Sequence, residues 1–154
     1  MILKLSGWAR NKFIASKVHS PKNLSELKNI RKNRVIARGM GRSYGDSAIQ
    51  PKCTILTTNL KKIITFDKKK GVINVESGIT IKELLETTIP NNWILPVIPG
   101  SKYITIGGMV ASDVHGKNHH KDGTFCKHLL EIEILLDNNK CQMMRIVLEL
   151  NFEH

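Results

Sequence analysis

Several things are scarce in this chain of 154 residues, and each scarcity removes a class of protein. Aromatic residues make up 5 % of it, too few for a surface that stacks nucleic-acid bases. Three cysteines, Cys53, Cys126 and Cys141, are scattered and odd in number. They argue against a disulfide framework and for a reducing, cytoplasmic compartment. No apolar run approaches the roughly 18 residues that span a bilayer. Met1 to Trp8 lacks a basic segment followed by a long apolar one, so no signal peptide is read. Acids are few, 13 against 24 lysines and arginines, which leaves a net charge of +11. Such a balance suits nucleic acid. The lysines, however, are spread among asparagines and isoleucines, as in an AT-rich coding sequence, and form no basic stripe. No nucleic-acid partner is expected, and a basic nucleic-acid-binding module stands only as a rival reading. Lys68-Lys69-Lys70 before Gly71 reads as a solvated turn.

What is present is a folded domain. Hydrophobic residues make up 41 %, and the length suits one domain or two small subdomains with a real core. Its most informative stretch runs from Val35 to Ala48. Val35 to Ala37 is a short apolar run that reads as a buried strand. It enters a loop with glycines at 39, 41 and 45 and arginines at 38 and 42. Glycine admits positive φ and leaves room for a ligand near the amides. Successive exposed amides form an anion-binding concavity, and guanidinium groups match phosphate oxygens. Spacing alone allows two readings, a phosphate or pyrophosphate cradle and a glycine-rich surface turn. A Rossmann fingerprint does not fit, because Gly45 comes one residue late and no apolar helix follows.

Along the rest of the chain, Leu5 to Arg10 reads as a leader with one large aromatic, Trp8, packed on the surface. Ser20-Pro21 opens a helix over Lys22 to Lys32, with Leu24, Leu27 and Ile30 at helical spacing. Thr54 to Thr57 reads as a strand. Ile63 to Phe66 and Val72 to Val75 flank a turn and read as a β-hairpin. Thr80 and Glu83 form a capping box for a helix that ends near Thr88, before Pro90. Pro96 and Pro99 stiffen the approach to Gly107-Gly108. These glycines open a short helix whose N-terminus is a second place to hold an anion or a flat polar ring edge. Leu129 to Leu136 reads as a strand. This order of elements indicates an α+β or mixed α/β fold.

His115, His119, His120 and His128, with Cys126, match no zinc spacing, so no metal is expected. His119 and His120 read as residues that pin a loop. His115 is singled out because it closes the small-residue helix beside the presumed ligand loop. Cys126 has no activating neighbour in sequence except His128, and no hydrolase signature is visible.

Taken together, Ala37-Arg38-Gly39-Met40-Gly41-Arg42-Ser43-Tyr44-Gly45-Asp46-Ser47-Ala48 resembles the pyrophosphate loop of the vanillyl-alcohol-oxidase-type, or PCMH-type, FAD-binding domain. Val75-Glu76-Ser77-Gly78 before a helix is similar to a second segment of that family. Pro99-Gly100-Ser101 through Gly107-Gly108, then Asp113 to His120, resembles one branch, the decaprenylphosphoryl-β-D-ribose 2′-oxidase-like flavoproteins. The likeness runs from about Trp8 to Leu136. It implies an α+β fold of two α/β subdomains with FAD between them, about residues 1–75 and 76–154, the second incomplete. It implies that Ala37, Arg38, Gly39, Met40, Gly41, Arg42, Ser43, Tyr44, Gly45, Asp46 and Ser47 hold the pyrophosphate. Gly100, Thr105, Ile106, Gly107, Gly108, Ser112, Asp113, Val114 and His115 would line the flavin, with His115 placed for catalysis. Relatives with covalent FAD carry a histidine where this chain has Arg42, so non-covalent FAD is expected.

The implied chemistry is oxidation of a CH–OH group on a sugar or sugar-lipid, with the hydride going to the flavin. Relatives carry a further substrate domain that these residues lack. The alternatives are therefore a non-catalytic FAD-binding fragment or one half of a split enzyme with a partner chain. Cys141 to His154 departs from the family pattern, although Ile146 to Leu150 can still pair as a strand.

Overall fold

The computed structural model describes residues 1–30, 34–137 and 140–152. The chain opens with two strands, β1 (Ile2–Ser6) and β2 (Phe13–His19), paired antiparallel. Short helix α1 (Leu24–Lys28) and strands β3 (Ile36–Arg38) and β4 (Thr54–Leu56) complete the first unit. β2 and β3 both run parallel to β4, giving the order β1-β2-β4-β3. Leu27, Cys53, Ile55 and Leu60 form its buried cluster. In β2 the buried positions alternate, Ser16 and Val18. The buried Ser16 hydroxyl is satisfied by Thr54 Oγ1 at 2.7 Å and the Gln50 carbonyl at 2.5 Å, as a buried hydroxyl must be.

The helix expected over Lys22 to Lys32 is shorter and starts later. Asn23, not the Ser20-Pro21 pair, is its cap, accepting from Glu26 N at 2.9 Å. Ile30 still packs on the cluster after the helix ends, and residues 31 and 32 lie outside the described residues. Of the leader expected over Leu5 to Arg10, Leu5 and Ser6 are the end of strand β1.

The second unit holds an antiparallel sheet of β5 (Ile63–Asp67), β6 (Val72–Glu76), β8 (Leu129–Asp137) and β9 (Lys140–Glu149), in the order β5-β6-β9-β8. β5 and β6 are the expected hairpin, and both strands belong to this sheet. Between β6 and β8 lie α2 (Ile81–Thr88), β7 (Trp93–Ile94), α3 (Ile106–Ala111) and α4 (His119–Asp122). A short β10 (Asn151–Phe152) pairs with β7, and the Phe152 ring meets Trp93 edge-on at 5.2 Å. Ile73, Val75, Leu84, Ile106, Met109, Phe125, Ile146 and Leu148 are fully buried in the core of this unit.

The segment after Cys141 is a central strand. Ile146, Leu148 and Leu150 alternate toward the core, and Ile73 pairs with Leu148 and Val75 with Ile146 across the β6–β9 register. A period of two with branched residues on one face is what a half-buried strand requires. The turn expected around Asp137 to Lys140 includes residues 138 and 139, which lie outside the described residues, as does His154.

The capping box of α2 is present. Glu83 N donates to Thr80 Oγ1 at 3.3 Å, and Thr80 N donates to Glu83 Oε2 at 3.0 Å. Lys61 Nζ reaches Glu83 Oε1 at 2.6 Å. Burial works against ionisation of Glu83, but hydrogen bonds from Lys61 and from the Thr80 backbone and hydroxyl prevail, lowering its pKa to about 2.

Two outcomes follow. Ile146→Ala should lower stability by about 2–5 kcal/mol in urea titrations; a loss below about 0.5 kcal/mol would mean that β9 does not hold the core. Glu83 has a depressed folded-state pKa, so its contribution is present above the unfolded value and lost as pH falls through the folded one. Between about pH 5 and 2, Glu83→Gln should therefore lose less stability than the parent. Parallel acid curves would contradict this.

Candidate functional site

Three close approaches that leave no room for a side chain shape the site. A Cβ on Gly78 would stand 1.8 Å from the Thr57 carbonyl oxygen, and one on Gly39 would stand 2.3 Å from Thr105 Oγ1. A Cβ on Gly107 would stand 2.8 Å from the Ser77 Cβ. These approaches place the loop after β3 against the segment that starts α3. Between them opens a cleft of about 390 Å³, within the size range of small-molecule sites.

Of the expected cofactor residues, Ala37, Gly39, Met40, Gly41, Arg42, Ser43 and Ser47 line this cleft from one side. Thr105, Gly107, Gly108, Ser112 and Val114 line it from the other. Gly100 and His115 line a neighbouring hollow of about 940 Å³, with Pro96, Ile98, Lys117 and Asn118. Arg38, Tyr44, Gly45, Asp46, Ile106 and Asp113 line neither. Ile106 is fully buried core, and Tyr44 is 84 % exposed. Arg38 folds beneath the loop: a Cβ on Gly41 would strike its guanidinium, and its Nη2 donates to the Ser6 carbonyl at 2.7 Å. Burial lowers the Arg38 pKa from its ordinary value.

The loop is well suited to an anion. Gly41 and Gly45 have φ of +66° and +62°. Among the described residues, no backbone amide from Met40 to Ser43 donates to another backbone group. Arg42 Nε is buried with no hydrogen-bond partner among the described residues, and so are Arg38 Nη1 beneath the loop and Ser77 Oγ in the cleft wall. Orphaned donors at one cleft are what a polar ligand satisfies. Ser77, at 2 % exposure, is a lining residue that the sequence did not single out. Its signal was only its position before Gly78.

The N-terminus of α3 is a different matter, and corrects the expectation of a second anion holder. The amides of Ile106 and Gly107 donate to the Ile79 and Ser77 carbonyls, each at 2.8 Å. Gly108 N donates to Thr105 Oγ1 at 3.2 Å. Its first amides are thus engaged within the protein. Gly107 and Gly108 offer the cleft a surface without side chains instead.

His115 is bridged to Thr124 through the backbone, and its ring meets His119 edge-on at 5.3 Å. His119 Nδ1 lies 3.3 Å from the Gly116 carbonyl oxygen, and His128 Nε2 lies 3.1 Å from that of Asp122. No group of three potential metal ligands occurs among the described residues, and no helix among them is long and apolar enough to cross a membrane. Cys126 is held inert: burial raises its thiol to about 11, helped by the neighbouring Asp113 carboxylate. Asp113 Oδ1 in turn accepts from Cys126 N at 3.0 Å, which lowers the carboxyl pKa.

Two packed sheets closing a cleft over a glycine loop have the form of a cofactor-binding domain. The chain belongs to the FAD binding domain family, whose model matches residues 17–144. It is 36 % identical over 107 residues to the decaprenylphosphoryl-beta-D-ribose oxidase of Mycolicibacterium smegmatis, a match covering 69 % of this chain and 23 % of that protein. It is 28 % identical over 82 residues to a D-lactate dehydrogenase of Anaerostipes hadrus, covering 53 % and 17 %. The solved structure of an alkyldihydroxyacetonephosphate synthase superposes with a TM-score of 0.78 at 15 % identity, covering 93 % of this chain and 33 % of that one. The fold is thus the PCMH-type one, FAD is the cofactor of the domain, and the domain is that of FAD-linked oxidoreductases. The chain spans about a quarter or less of the length of these two curated relatives.

The Asp113–Cys126 contact is testable. Asp113 has φ +39°, a region asparagine tolerates, so Asp113→Asn should fold normally. It should speed alkylation of Cys126 at mildly alkaline pH, mapped by mass spectrometry, because the thiolate loses a neighbouring negative charge. An unchanged rate would leave burial as the sole cause.

Proposed function

We propose that this chain binds FAD non-covalently, with the pyrophosphate on the Ala37–Ser47 loop and the flavin reaching past Gly107-Gly108 toward Gly100 and His115. The observation that carries the reading is the buried, unpartnered Arg42 Nε beside loop amides that have no backbone acceptor. Arg42 offers charge-assisted hydrogen bonds to phosphate oxygens. Ser77 Oγ offers a further donor from the opposite wall. Gly107 and Gly108, without side chains, allow a flat ring to lie close.

The activity proposed for the complete enzyme is oxidation of a CH–OH group, on a sugar or sugar-lipid. The printed name of the Mycolicibacterium relative, a ribose oxidase, supports that substrate class. FAD, when bound, supplies the acceptor for the hydride. His115, in the adjoining hollow, orients the substrate hydroxyl or holds its proton. Its ring is steadied by His119. We place the division between the subdomains between Leu56 and Ile63, because the β5–β6 hairpin pairs into the second sheet. The substrate half lies outside these residues, on further sequence or on a partner chain.

The test is the visible absorbance of the purified chain after FAD is added and excess removed. A retained yellow colour that acid releases is expected. Arg42→Ala should weaken binding by roughly 10- to 100-fold, the loss of a hydrogen bond to a charged group. Colour that precipitates with the denatured protein would overturn the non-covalent reading, and a chain that retains none would overturn cofactor binding.

A further inference from the structure

The leader ahead of β2 has a role that the cofactor reading alone does not give it. The Ser6 carbonyl accepts from Arg38 Nη2 at 2.7 Å. A Cβ on Gly7 would stand 1.8 Å from the Gly45 carbonyl oxygen. Trp8 N donates to the Ser43 carbonyl at 3.2 Å. The Arg42 guanidinium carbon sits 4.5 Å from the centroid of the Trp8 ring. Three consecutive residues thus follow the outer side of the glycine loop and touch it at Arg38, Arg42, Ser43 and Gly45.

We infer that Trp8 is a positioning residue: its indole face holds the Arg42 guanidinium by a cation–π contact, so that Arg42 Nε stays buried and aimed for a phosphate oxygen. This rests on the FAD reading for its ligand, but the contact itself does not. Arginine has many rotamers, and a side chain left free loses much of its binding energy to ordering. An aromatic face within about 6 Å favours one orientation and leaves the edge of the guanidinium available for hydrogen bonds. Trp8 is 50 % exposed, so the ring is not retained for core packing. Arg42 Nε, by contrast, is buried and has no acceptor among the described residues. That combination is costly in a free protein and useful in one that awaits an anion.

The test has two parts. With 15N-labelled arginine and no FAD present, the Arg42 Nε–H resonance should be displaced by the indole ring current and return toward the free-arginine position in Trp8→Ala. Titration of FAD, followed by flavin fluorescence, should then show Trp8→Ala weakening binding about three- to tenfold, with Trp8→Phe recovering part of the loss. In an Arg42→Ala background the same Trp8 change should matter by less than about twofold. An Arg42 resonance indifferent to Trp8 overturns the inference. So does an equal loss of affinity in both backgrounds, which marks Trp8 as merely structural. A parent chain that holds no FAD, yet whose Arg42 resonance depends on Trp8, supports the contact and overturns the cofactor reading instead.

Discussion

The structure depends on a seam of backbone contacts too close for any side chain. At Gly78 the chain leaves β6 and passes under the turn after β4, its amide donating to the Leu60 carbonyl at 2.7 Å. A Cβ at that point would occupy the space of the Thr57 carbonyl. Gly39 meets the Thr105 side chain across the two units, and Gly107 meets Ser77 within the second. Close packing leaves no slack to absorb an added methyl group. The seam brings two separately cored sheets together and sets the width of the cleft between them. Opening it would separate the glycine loop on one side from Thr105 and Gly107 on the other. The cleft is therefore a property of the seam, and neither sheet forms it alone.

This explains which parts were legible in the sequence. Local signals held where local physics decides. The Thr80–Glu83 box, the β5–β6 hairpin and the small-residue helix after Pro99 are each set by residues a few positions apart. The family likeness was legible too, because Gly39, Gly41, Gly78 and Gly107-Gly108 occur in fixed order. The glycine roles themselves were not. Gly78 read only as the end of a family segment and Gly107 as the opening of a helix, whereas both let two stretches of backbone touch. The extent of α1 was overestimated because Leu24, Leu27 and Ile30 do all pack on one cluster, although only the first part of the stretch is helical. The Cys141–Leu150 segment was underestimated because its residues depart from the family pattern, yet β9 pairs both with β8 next to it in sequence and with β6 some 70 residues earlier.

The histidines and the lone thiol illustrate the same limit from the other side. Adjacency in sequence placed His115, His119, His120, His128 and Cys126 in one group. In the fold the rings of His119 and His128 face backbone carbonyls, and the thiol is pushed away from reactivity by burial and by Asp113. Among these residues His115 and His119 border the hollow next to the cleft. A group of reactive residue types becomes a site only when the backbone turns their free atoms toward a common space.

Under the FAD reading proposed above, anion recognition by this domain rests on few atoms. The net charge of +11 contributes a diffuse field that salt screens, and it does not select a diphosphate over any other anion. The amides at the start of α3, which a helix would ordinarily offer, already donate to Ile79, Ser77 and Thr105. That leaves the loop amides from Met40 to Ser43, the Ser77 hydroxyl and the unpartnered guanidinium nitrogens of Arg38 and Arg42. Specific binding then depends less on how many cations the chain carries than on how firmly Arg42 is held. A tryptophan in the leader, a residue that neither composition nor motif spacing marks as functional, becomes part of the phosphate site through that geometry.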